Sequence, residues 1–153
     1  ILDKFGLNPN KQEHIQVKRL QDIQPFKVYV SLEGRKILVG KGSKENDELS
    51  KKARSNDHWF HAVGVTGSHI VIPASKNNSE LDIQTKKQAM ILAIHYSKFR
   101  KDQAGEVYVT LKRNITKQKG MPAGLWTIRH SQVEYIQYNE TELKEILDKL
   151  QRE

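Results

Sequence analysis

Three histidines and an aspartate lie close together in the stretch from Asp57 to His69, with His58 and His61 between them. Imidazole and carboxylate groups are zinc ligands, so the cluster permits a metal-dependent hydrolase. The spacing matches no established metal motif, and a strand here would place His58 and His61 on opposite faces. A histidine that bonds the backbone or stacks on a base is the better interpretation. We therefore expect no metal, no cofactor and no catalytic residue, with the hydrolase as an alternative.

A glycine-rich turn, residues 40–43, precedes this cluster and leads into a predicted helix over residues 45–53. The free N–H groups of such a strand-turn-helix can face a phosphate. The segment is not a Walker motif, because Lys41 lies inside the turn and not at the start of the helix. An ordinary turn with Ser43 as the N-cap is the alternative. Asn46 and Asp47 are placed to bond this turn.

Basic residues suggest a polyanionic partner. The chain carries 26 Lys and Arg against 18 Asp and Glu, a formal charge of +8. A solvated, lysine-rich surface would give the same balance. The segment 112–120 has four cations and no acid, as a phosphate-binding loop would. The predicted phosphate contacts are Lys41, Arg100, Lys112, Arg113, Lys117 and Lys119.

These side chains must be positioned by the elements that the pattern of apolar residues predicts. Strands are expected over residues 26–32, 35–39, 57–63, 68–73, 106–112, 125–129 and 133–138, with helices over 45–53, 81–101 and 139–152. The first strand should be half-buried, with Phe26 and Val28 facing inward and Tyr29 outward. Ile83 should lie on the buried face of the long helix. The register that relates His61 to His69 stays open, and Gly67 is expected to adopt a conformation that a Cβ disfavours.

The fold prediction is a single α+β domain with a mostly antiparallel sheet, one long packed helix and a C-terminal helix. Residues 1–25 would be a linker or N-terminal extension, 26–138 the binding domain and 139–153 the C-terminal helix. The chain has no cysteine and no apolar run near the ~20 residues that span a bilayer. No signal peptide opens it, so we expect a cytoplasmic protein. The chain begins with Ile1, so an excised domain of a longer protein and a stand-alone protein are both open interpretations.

Several motifs resemble the NFACT-R domain over roughly Phe26 to Tyr138. The matching positions are Val39-Gly40-Lys41, Asn46-Asp47, Asp57, Trp59-Phe60-His61-Ala62, Gly67-Ser68-His69, Ala89, Ala93, Tyr96-Ser97 and Arg100. The Trp-Phe-His-Ala and Gly-Ser-His motifs at this spacing are the specific part of the resemblance. The family often has Arg where this chain has Lys41, which weakens the case for bidentate phosphate pairing there.

The resemblance implies an RNA-binding module that contacts tRNA, large-subunit ribosomal RNA or both in ribosome-associated quality control. Large family members also carry an upstream NFACT domain, a helix-hairpin-helix segment and a coiled coil, although stand-alone members exist. Motif residues expected to organise the loops are Gly40, Asn46, Asp47, Asp57, Trp59, His61, Gly67, Ser68 and His69. The alternative function is a module that binds DNA or an anionic surface.

Overall fold

Tight glycine turns and alternating apolar residues build the first half of the sheet. The computed structural model describes residues 26–75 and 80–151, so the predictions for residues 1–25 lie outside it. Strands β1 (Phe26–Val30) and β2 (Lys36–Gly40) form the predicted antiparallel hairpin. Its turn places Gly34 at a φ of 83°, a value that favours glycine.

The remaining elements complete a seven-stranded sheet in which every pair is antiparallel. Its other members are β3 (His58–Ala62), β4 (Ile70–Ile72), β5 (Ala104–Leu111), β8 (Gln132–Gln137) and β9 (Leu150–Gln151). The strand order is β8-β5-β3-β4-β2-β1-β9. A separate hairpin of β6 (Ile115–Thr116) and β7 (Thr127–Ile128) follows β5. The helices are α1 (Ser43–Lys52), α2 (Ile83–His95) and α3 (Glu140–Leu147). The predicted α+β class is confirmed.

Both faces of the sheet are covered at β1, so the prediction of a half-buried first strand is wrong. Phe26 and Val28 belong to a cluster under α1 and the β6–β7 hairpin, while Tyr29 is only 1% exposed in the larger cluster under α2 and α3. Alternation along one strand identifies two faces, but it does not tell whether a distant segment covers the second. Leu32 was predicted to continue the strand but lies in the turn, 62% exposed.

The long helix is shorter than predicted, and the residues that it buries differ from the predicted ones. Helix α2 starts at its Asp82 cap, whose side chain accepts from the Thr85 N–H, and it ends at His95. The chain beyond it bonds the segment 66–68 instead, through the Ser68 N–H and the Tyr96 carbonyl. Residues 89–95 are buried on every side, whereas Ile83 is 82% exposed in the first turn. The prediction for Ile83 is therefore wrong.

The C-terminal segment is a short capped helix followed by an unpredicted edge strand. Asn139 accepts from the Glu142 N–H, and the Glu142 carboxylate accepts from the Asn139 N–H, a complete capping box. Helix α3 ends at Leu147, and β9 then pairs with β1. None of the helices in the described residues is long and apolar enough to span a membrane.

Candidate nucleic-acid interface

The turn between β2 and α1 is tight because the Asn46 side chain packs against Gly40. Helix α1 begins at Ser43 with Gly42 as its N-cap, and no side chain caps it, so the alternative in which Ser43 is the N-cap is wrong. A Cβ on Gly40 would overlap the Asn46 side chain, which explains glycine at that position. Lys41 is exposed at the start of the turn. The helix therefore approaches the end of β2 directly.

Asn46 joins this turn to the segment that precedes β4. Its Oδ1 accepts from the His69 N–H at 3.0 Å, and its Nδ2 donates to the Gly67 carbonyl at 3.2 Å. The Gly40 N–H donates to the His69 carbonyl at 3.1 Å. Asn46 is 5% exposed, so these bonds satisfy an amide that would be costly to bury alone.

His69 is a buried, neutral bridge. A carbonyl can only accept, so the His69 Nε2–H donates to the Gly124 carbonyl at 3.0 Å, and Nδ1 accepts from Ser50 Oγ at 2.6 Å. Ser50 Oγ itself accepts from Trp59 Nε1 at 3.0 Å. Burial, followed by the charge of neighbouring His61, lowers the pKa of His69 to about 3. The ring links the sheet, α1 and the 117–125 loop.

Asp47 holds the same loop through its charge. Its Oδ1 accepts from the Gly124 N–H at 3.0 Å and from Trp126 Nε1 at 2.9 Å, and it pairs with Lys117 Nζ at 3.3 Å. Burial alone would raise the pKa of Asp47, but the bonds from Trp126, Gly124 and Lys117 lower it on balance. Gly124 has a φ of 82°, and a Cβ there would lie 3.2 Å from Ser43 Cα. The loop is thus fixed against α1.

His61 lies beside this network, and the pairing of β3 with β4 gives the register that relates His61 to His69. Trp59 and Phe60 pair with Val71 and Ile70, which places His61 next to His69 on one face. The two imidazole centroids are 5.5 Å apart, and His61 stacks on Trp59 at 5.8 Å with an interplanar angle of 14°. Burial lowers the pKa of His61, although hydrogen bonds to the backbone partly oppose it.

In the described part of the chain, His58 and Asp57 lie apart from the pair of His61 and His69. His58 lines a groove with Lys86 and Gln132, apart from the His61–His69 pair. The Asp57 carboxylate accepts from the N–H groups of Arg54 and Ala74 and so braces a turn. Within residues 26–75 and 80–151, no three His, Cys, Asp or Glu side chains form a group that could hold a metal.

Gly67 is required for space and not for an unusual backbone angle, which corrects our expectation. The described glycines with positive φ are Gly34, Gly64, Gly120 and Gly124. A Cβ on Gly67 would instead meet Ser97 Cβ at 3.0 Å and the Tyr96 carbonyl at 3.2 Å. Ser68 is buried beside this contact, and its N–H donates to Tyr96. The motif therefore packs against the end of α2.

The predicted phosphate contacts divide into three groups. Lys112 and Lys117 form hydrogen bonds within the protein. Lys112 Nζ donates to the Ala53 carbonyl at 3.0 Å, and Lys117 Nζ donates to the Leu125 carbonyl at 3.0 Å. Burial lowers the pKa of Lys112. Arg113, Lys119 and Lys41 are exposed; Arg113 donates to Asn56 and lines the groove that contains His58. Arg100 follows α2 and lies close enough to His95 and Tyr138 to shift their pKa values.

The sequence reasoning missed three members of the network: Ser50, Gly124 and Trp126. Only the Pro122-Ala123-Gly124 turn gave a local sign, because a glycine two residues after a proline indicates a tight turn. The side chains that it meets lie far away in the chain, 55 residues for His69 and 77 for Asp47.

Comparison with known proteins gives consistent results. The sequence model of the family described as NFACT protein RNA binding domain matches residues 25–130. The protein named Rqc2 homolog RqcH of Bacillus subtilis is 33% identical over 118 residues, which is 76% of this chain and 20% of that protein. Its Streptococcus suis counterpart is 32% identical over 118 residues, 76% of this chain and 21% of that protein. The chain thus spans about a fifth of the length of these curated relatives.

A solved structure agrees with the sequence matches. The C-terminal part of the fibronectin/fibrinogen-binding protein of Streptococcus suis superposes with a TM-score of 0.71 at 31% identity. The match covers 79% of this chain and 48% of that one.

Proposed function

The chain belongs to the family of NFACT RNA-binding domains, and we propose that it binds structured RNA mainly through phosphate contacts, without reading sequence. We propose tRNA and large-subunit ribosomal RNA as its targets, in ribosome-associated quality control within the cytoplasm. The names of the RqcH relatives support this context. Upstream NFACT domains in the same protein would fit the fraction of those relatives that the chain spans.

The observation that carries the proposal is a basic segment held in place by buried polar contacts. Residues 112–133 contain five Lys and Arg and no Asp or Glu. Asp47 and His69 both bond Gly124 in the middle of that segment. A fixed loop loses less conformational entropy when it binds than a flexible one. The cations are therefore arranged before RNA arrives.

Two of these predicted contacts are best suited to a test. Lys41 and Lys119 are exposed and make no hydrogen bond or ion pair within the described part of the chain. Replacing them removes charge without disturbing the loop, whereas replacing Lys117 would also break its pair with Asp47. Lys144 and Lys149 are exposed on and after α3 and provide a control with the same loss of charge.

The experiment compares the double variant Lys41→Ala/Lys119→Ala with Lys144→Ala/Lys149→Ala. Fluorescence anisotropy at several salt concentrations would measure binding to tRNA, to an unrelated hairpin RNA and to duplex DNA. Lys41→Ala/Lys119→Ala should lower the affinity for both RNAs by a similar factor. It should also lower the slope of log affinity against log salt concentration by roughly one unit per lost phosphate contact. The control should leave both the affinity and the salt slope close to the wild-type values, because charges far from the bound RNA are screened by salt. Both variants should keep the wild-type melting temperature.

The outcomes separate the candidate functions. A wild-type domain that binds neither RNA would refute the proposal. Tighter binding to duplex DNA than to either RNA, or binding to anionic vesicles alone, would favour the alternative module. Loss confined to one RNA would mean that the basic face reads shape or sequence.

A further inference from the structure

One part of the sheet face that carries His61 is left uncovered. The register aligns His61 with Tyr108 and Tyr108 with Val133, so these three side chains form one row across β3, β5 and β8. Tyr135 pairs with Glu106 in the next row. Val133 is 47% and Tyr135 63% exposed, while Tyr108 and His61 are half-buried. Helix α1 and the β6–β7 hairpin cover the rest of this face.

The exposure of these side chains does not come from a frayed strand. β8 pairs with β5 over six residues, and the alternate residues Glu134 and Ile136 face α2. Glu134 pairs with Lys86 of that helix at 2.5 Å, and Ile136 packs against the larger core cluster. With one side of β8 held on the helix, Val133 and Tyr135 must point to the open side. An aromatic row fixed in this way is a preformed surface.

Basic residues lie in the segment that covers the neighbouring part of this face. The acid-free segment 112–133 leads directly into β8, and its Trp126 and Ile128 pack against the same cluster as Tyr108. Exposed Lys119 and Arg129 belong to that segment. Glu106 is the one acid in the two rows. Aromatic rings with cations beside them suit a nucleic acid strand, because bases stack on the rings while phosphates pair with the cations.

We propose that the row of His61, Tyr108 and Val133, together with Tyr135 beside it, binds unpaired RNA bases, with a base stacked on the exposed ring of Tyr135. The inference rests on the proposed RNA-binding function and adds a preference for loops and single-stranded ends over duplex. Two strand spacings of about 4.8 Å separate β8 from β3, so neighbouring bases can lie side by side on the row. In a duplex the faces of the bases are already stacked and cannot reach it.

The test uses three variants of this domain. Tyr135→Ala removes the ring, Tyr135→Phe keeps it, and Leu32→Ala removes an equally exposed side chain (62%) from the distant β1–β2 turn. The probes are a labelled single-stranded RNA of about 12 nucleotides, the same strand with abasic sites, and its blunt duplex. Anisotropy titrations give the affinities, and circular dichroism melts check the fold.

Tyr135→Ala should weaken single-stranded binding by roughly five-fold or more, the effect of one lost base stack. It should change duplex and abasic binding by less than about two-fold and leave the salt slope unaltered, because no phosphate contact is lost. Tyr135→Phe and Leu32→Ala should behave like wild type with all three probes.

Other results would overturn the inference. If Tyr135→Ala leaves single-stranded binding intact while Lys41→Ala/Lys119→Ala weakens it, the domain binds RNA but not through this row. If Tyr135→Ala instead abolishes self-association in sedimentation and leaves RNA binding unchanged, the row contacts another copy of the chain. If the wild type binds no RNA, both the proposed function and this inference fail.

Discussion

The neutral state of His69 makes a quantitative prediction about stability and pH. The ring is 1% exposed, its Nε2–H donates to Gly124, and its Nδ1 accepts from Ser50, so a second ring proton would displace the Ser50 hydroxyl proton from this bond and place a charge in a buried site. Its pKa falls from 6.5 to about 3 in the folded protein. Below pH 6.5 the unfolded chain therefore binds a proton that the folded chain does not. Stability is retained above that pH and decreases as the pH falls from 6.5 towards 3.

The size of the loss follows from the two pKa values. Each unit of pH between them costs about 1.4 kcal/mol, so His69 alone should lower the free energy of unfolding by about 2 kcal/mol at pH 5 relative to pH 7.5. His95 is also buried, with a pKa lowered to about 4 by burial and by nearby Arg100 and Lys27, and it should add a similar loss. The wild type should therefore lose at least about twice the contribution of one histidine, because burial also lowers the pKa of His61.

The variant His69→Gln isolates one of these contributions, because glutamine offers a donor and an acceptor but does not titrate. Urea unfolding at pH 7.5 and pH 5, followed by tryptophan fluorescence, gives the free energy of unfolding for both proteins. The variant will be less stable at both pH values, but its loss on acidification should be about 2 kcal/mol smaller than that of the wild type. Equal losses in the two proteins would refute the argument.

A second measurement does not depend on how the variant folds. The ring ¹⁵N shifts of His69 in the wild type should show a proton on Nε2 alone from pH 8 to pH 5. A ring that takes up its second proton above pH 5 would contradict the neutral bridge.

Two further changes test the contacts that close the site. Asp47→Ala leaves the Gly124 N–H and Trp126 Nε1 without their acceptor and should destabilise the domain by about 2–4 kcal/mol. Urea unfolding at pH 7 measures this loss. A loss below about 0.5 kcal/mol would show that the carboxylate does not hold the loop. Gly67→Val places a branched side chain against Ser97 and should lower the free energy of unfolding by about 1–3 kcal/mol. A thermal melt identical to wild type would mean that the neighbouring residues shift to accommodate the side chain at little cost.

Local pattern was sufficient to predict the β1–β2 hairpin, because the information for it lies in neighbouring residues. Alternation at residues 26–30 and a glycine at position 34 determine a strand and a tight turn without reference to the rest of the chain. The same pattern misjudged Tyr29 and Ile83. Whether Tyr29 is covered depends on α2, which follows more than 50 residues later, and whether Ile83 is covered depends on where α2 crosses the sheet.

For the candidate site, sequence indicated which residue types mattered but not which atoms they meet. Asn46, Asp47 and His69 stand in motifs, so they could be singled out. Their partners could not, because Trp126 is 79 residues from Asp47 and becomes its neighbour only when the β6–β7 hairpin folds over α1. Long-range pairing of this kind is decided by the packing of the whole domain.

The division between buried and exposed polar groups indicates how the domain can bind without losing its shape. The groups that fix the basic segment, His69 and Asp47, have partners for their ring nitrogens or carboxylate inside the protein. The exposed cations Lys41 and Lys119 take no part in that network. Phosphate contacts can therefore form or break at the surface, with changing salt, while the bonds beneath stay the same. A design in which Lys119 also held the loop would make affinity and stability change together.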